Sequence, residues 1–115
     1  MDGRAQLPVI DWAKREYGVD YVDSITEPGP VRILAEGTDA DTLESLRRRL
    51  TISATKHGSR RVAVVAHTDC AGNPVGKQTQ LSQLRMAAAT VLSWGMDVQV
   101  DMLWLGEGWC VERAG

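Results

Sequence analysis

The sequence contains no phenylalanine and only two cysteines, Cys70 and Cys110. Two thiols cannot build a disulfide framework, and so few of them point to a reduced, cytoplasmic setting. Long hydrophobic runs are missing as well. The longest, Val62-Ala63-Val64-Val65-Ala66, is far too short to span a bilayer. The first residues show no apolar signal core, so neither a membrane partner nor a leader is expected. Charge of one sign is also scarce: the formal net charge is -2, with acids and bases interspersed. Nothing matches the basic footprint of a nucleic-acid binder. The densest basic run, Arg47-Arg48-Arg49, lies within a helical pattern and reads as a solvated face. What is left is a chain of 115 residues, 43% hydrophobic, which is enough for one domain with a single modest core.

Punctuation along the chain sets out the elements. Leu7, Ile10, Trp12, Ala13 and Tyr17 recur at helical spacing, Pro8 suits a first turn and Gly18 a stop, so residues 5–17 read as a helix. Val19 to Thr26 is rich in β-formers and is expected to be a strand, ended by Glu27-Pro28-Gly29-Pro30. Val31 to Glu36 reads as a short helical turn. Thr38 followed by Asp41 looks like a capping box, and Leu43, Leu46 and Leu50 give a second helix over 40–57. Arg60 to Ala66 is apolar without alternation, which suits a central parallel strand covered on both faces. A loop follows over His67 to Gly76. Leu81, Leu84, Ala88, Val91 and Leu92 mark a third helix, and Val98 to Trp104 alternates as a further strand. The last ten residues carry no clear signal. Helices and strands that alternate in this way predict an α/β fold: three layers, with a mostly parallel central sheet and flanking helices.

Sites in such sheets lie beyond the carboxyl ends of strands. His67 and Cys70 fall there as an H-x-x-C pair, directly after the strand. Imidazole and thiolate are both good zinc donors, and one turn can present the two together. On spacing alone, a buried cysteine beside a loop histidine is an equally good reading.

The flanking residues tip the balance. Val62 to Gly72, an apolar strand running into His67-Thr68-Asp69-Cys70-Ala71-Gly72, resembles the H-x-x-C-G segment of the β-class carbonic anhydrases. Met1-Asp2-Gly3-Arg4 resembles the last four positions of that family's C-x-D-x-R motif, whose cysteine falls immediately upstream of Met1. The resemblance is good over roughly residues 1–76 and loose beyond. It departs at Glu27-Pro28-Gly29-Pro30, which replaces an Asn/Gly-rich turn, and at Ala71, where the family usually has glycine.

The resemblance implies a single β-carbonic anhydrase-like domain over 1–115 that lacks its N-terminal strand. It also implies zinc held by His67 and Cys70, and a homodimer or higher oligomer. The implied reaction is reversible hydration of carbon dioxide to bicarbonate by a zinc-bound hydroxide. Asp2 orients that hydroxide and Arg4 keeps Asp2 ionised. Two ligands are one short of the three that a catalytic zinc needs, so a weak or inactive chain, or a non-catalytic binding or assembly module, stands as the alternative. Without the resemblance, Asp2 and Arg4 read as a frayed terminus. Asp69 reads as a turn-former, His57 as a helix-end residue and Cys110 as a buried thiol. Trp104 and Trp109 read as core or interface residues. Gly72 to Lys77 lacks the spacing of a phosphate loop.

Overall fold

The computed structural model describes residues 1–115. Helix α1, Gly3–Tyr17, starts two residues earlier than the spacing predicts, because the Asp2 side chain accepts from the Arg4 N–H and caps it. Pro8 therefore sits beyond the first turn. Helix α2, Pro30–Glu36, extends the short turn expected over Val31 to Glu36 to two helical turns with Pro30 at its start. Helix α3, Ala40–Lys56, takes Asp39 as its cap in place of the expected Thr38: the Asp39 carboxylate accepts from Thr42 N–H at 3.2 Å.

Strand β1 is Arg61–His67, helix α4 is Lys77–Ser93 and strand β2 is Gln99–Leu105. The unassigned tail folds back as strand β3, Val111–Arg113. β1 and β2 pair in parallel across the α4 crossover, from Arg61 opposite Gln99 to His67 opposite Leu105. β2 and β3 pair antiparallel, so the sheet is mixed and its order is β1-β2-β3.

Two expectations are corrected here. Val19 to Thr26 forms no strand, and β1 lies at the sheet edge, not at its centre. The cause is shared. Val19, Val22 and Ile25 line the same groove of about 600 Å³ as Val62, Val64 and Val65, but they form no ladder with β1. β-propensity cannot make a strand where no ladder partner lies within reach. The covering of β1 does follow the apolar run. Val64 and Ala66 join Leu34, Leu50, Leu84 and Trp104 in one cluster, while Ala63 and Val65 pack with Trp12, Ala13 and Leu103 in another. Small residues on α4, Ala87 at 0% exposure and Ala88 at 8%, let that helix lie close on the sheet. No helix is long and apolar enough to cross a membrane.

Candidate functional site

His67 ends β1, one residue further into the strand than the sequence suggests, so the ladder fixes its backbone. Its Nδ1 lies 2.7 Å from the Thr68 carbonyl, which can only accept. Nδ1 therefore donates, and in the neutral ring Nε2 is the nitrogen with the lone pair. Cys70 is buried three residues on. Asp69, between them, takes a left-handed φ of 52°, as a turn-former does.

Three features that the sequence did not reveal hold this loop. Gln80 of α4 is buried and donates from Nε2 to the His67 carbonyl at 3.0 Å and to the Val75 carbonyl at 3.2 Å. Asn73 donates its backbone N–H to the Cys70 carbonyl at 3.2 Å and its amide to Gln83 at 2.7 Å. Gly72 crosses the Pro28-Gly29 backbone so closely that a Cβ on Gly72 would fall 2.5 Å from the Pro28 carbonyl carbon. The turn that departs from the family pattern is thus the seat of the H-x-x-C loop. The glycine pair was the available signal, but only proximity gives it meaning.

The chain start is ordered, not frayed. Arg4 donates from Nε to Asp2 Oδ1 at 3.1 Å and from Nη2 to Oδ2 at 2.7 Å, the bidentate geometry of a strong pair. Arg4 hydrogen bonding holds the Asp2 carboxyl well below the usual carboxylate range, and Asp2 in turn raises Arg4. Arg4 Nη1 also reaches Asp69 Oδ2 at 3.2 Å, which ties the two motifs together across the fold. Above them lies Trp109, with Arg4 Cζ 4.5 Å over its ring and the His67 ring 5.6 Å away. Neither the Asp69 pairing nor the Trp109 contact was legible in spacing. Cys110, expected to be buried, is exposed because it follows the loop onto the surface.

Asp2, Arg4, His67 and Cys70 all lie at this end of the sheet. The test for zinc is the donor set. His67 Nε2 and Cys70 supply two suitable ligands, while both oxygens of Asp2 are engaged by Arg4. No group of three or more His, Cys, Asp or Glu side chains is arranged to hold a metal ion. The residues present therefore do not complete a zinc site.

The chain matches, over residues 1–115, the model of a family described as "Putative carbonic anhydrase". No curated protein and no solved structure matches it. The two sequence motifs joined by Arg4 and Asp69, on a strand end of an α/β fold, agree with a match that runs the whole length, and the chain belongs to this carbonic anhydrase family.

Proposed function

We propose that the chain is a carbonic anhydrase-like zinc protein directed at carbon dioxide and bicarbonate, with low activity as the 115 residues stand. The observation that carries this reading is the Arg4 bridge, which sets an ionised Asp2 beside the loop bearing His67 and Cys70. Within this arrangement Arg4 keeps Asp2 in its acceptor form and fixes its direction. His67 and Cys70 would be zinc donors, and a third donor would have to come from outside them.

The groove beside β1 offers a route for that donor. Met1, Asp2, His67, Cys70, Arg60 and Arg61 are all in its lining, and β1 runs along it from Arg61 to His67. The Met1 amine donates to the Glu27 carbonyl at 3.2 Å, so a segment leading into Met1 would end at the donor end. Such a segment, laid along the open edge of β1, would add a strand, give Val19 to Thr26 a partner and build toward the three-layer arrangement. If it ended in cysteine it would complete the ligand set.

The test compares the chain with a version extended by an apolar strand ending in cysteine before Met1. Both are loaded with zinc and assayed for carbon dioxide hydration by stopped flow. The extended form should be clearly faster. If it is not, the enzyme reading falls. A second reading, a non-catalytic binding or assembly module, is then favoured by the short donor set. The remaining expectations belong to the same proposal. Two free thiols suit a cytoplasmic setting. Tyr21, 91% exposed, and Leu7, 69% exposed, suit a homodimer or larger assembly.

A further inference from the structure

We propose that Trp109 is a positioning residue: its indole fixes Arg4, and through Arg4 the Asp2 carboxylate, beside His67. The inference rests on the functional reading above for the roles of Asp2 and His67, but its geometry stands alone.

Arg4 is constrained in its own plane by acidic partners. Asp2 takes Nε and Nη2, and Asp69 takes Nη1 through its carboxylate and Nη2 through its carbonyl at 3.3 Å. The Asp69 side chain is 80% exposed, so water competes for that contact and an exposed ion pair alone holds little. The Arg4 side chain is itself half exposed. What remains is motion out of the plane, and there the indole stands, 4.5 Å from Cζ. A guanidinium over an aromatic face is attracted by the ring quadrupole. The same ring lies 5.6 Å from His67 at an interplanar angle of 44° and so covers one side of the imidazole.

The backbone is shaped for this placement. Trp109 lies in the loop between β2 and β3 and adopts a φ of 54°, where a bulky side chain is uncommon. A turn holds it there, with the Trp109 N–H donating to the Gly106 carbonyl at 2.9 Å. Strain of this kind at a large residue persists when the surroundings impose it, and it tends to mark functional sites. Trp109 is only half-buried, so core packing alone does not account for its placement.

The test uses the 115-residue chain without added metal. The Arg4 Nε–H resonance is followed by NMR in wild type, W109F and W109L. In wild type it should be displaced upfield by the ring current. W109F keeps an aromatic face and should retain part of the displacement; W109L should lose it. Exchange of the Arg4 Nε–H with solvent should accelerate roughly 2- to 30-fold in W109L, the range that a cation–π contact is worth, and less in W109F. An undisplaced wild-type resonance overturns the proposal, and so does exchange in W109L no faster than in wild type. If W109L does not fold, the wild-type displacement and the W109F exchange rate decide. Hydration activity has no part in this measurement. An inactive chain with a Trp109-dependent Arg4 therefore refutes the enzyme reading alone.

Discussion

Replacing Gly72 by alanine tests whether the backbone crossing with Pro28-Gly29 seats the H-x-x-C loop. The new Cβ would stand 2.5 Å from the Pro28 carbonyl carbon and 2.6 Å from the Gly29 nitrogen. Both are backbone atoms, so no flexible side chain can give way. The two strands of chain must separate, and overpacking of this kind costs about 1–3 kcal/mol. At roughly 4 °C of melting temperature per kcal/mol for a domain of this size, the loss is about 4–12 °C. Cys70 lies two residues away, so its burial should fail with the seat. In a C110S background, which leaves Cys70 the sole thiol, its reaction with an aromatic disulfide reagent should quicken. Gly76→Ala is the control: nothing lies within 4 Å of its Cβ, so apart from a small loss of melting temperature from capping α4 with alanine it should leave Cys70 as unreactive as in wild type. Gly29→Ala should resemble Gly72→Ala but melt lower, since Gly29 also holds a φ of +62°. If Cys70 in Gly72→Ala reacts no faster than in Gly76→Ala, the crossing is not what seats the loop.

On the proposed zinc reading, whatever zinc the chain takes up should fall sharply in Cys70→Ser, because a hydroxyl is a far poorer ligand than a thiolate at neutral pH; equal zinc in both by elemental analysis refutes the site. Asp101 is a stability hub, accepting from Tyr17 Oη at 2.6 Å, Arg61 at 3.0 Å and Arg113 at 2.8 Å. Asp101→Asn should cost about 1–3 kcal/mol in chemical denaturation at pH 7. Burial works to raise the Asp101 pKa, but the Tyr17 hydrogen bond and the two arginines outweigh it, and the net shift is downward. Its contribution is therefore complete above the ordinary carboxylate value near pH 4 and is lost as pH falls through the lower folded value. Melting curves of wild type and Asp101→Asn should converge in acid, and a constant gap from pH 7 to pH 2 contradicts the assignment. Sedimentation at tens of micromolar should show a dimer or larger species, and a clean monomer counts against assembly.

Whatever depends on near neighbours was legible in the chain of residues alone. Apolar spacing and flanking glycines located α1, α3 and α4 to within a few residues, because helix periodicity and caps are local. The apolar run placed β1, and the strand end placed His67 and Cys70. The rest depended on how distant segments meet. A strand needs a ladder partner, so Val19 to Thr26 stayed irregular and β1 became an edge despite good β-formers in both. Asp39 outcompeted Thr38 as a cap through side-chain geometry that a four-residue pattern does not resolve. The Arg4–Asp69 pair spans 65 positions, and Trp109 reaches Arg4 from the far end of the chain. Contacts of that range leave no periodic trace, since they depend on how the sheet and its loops close, and so the framework of the site was legible while the residues that hold it in place were not.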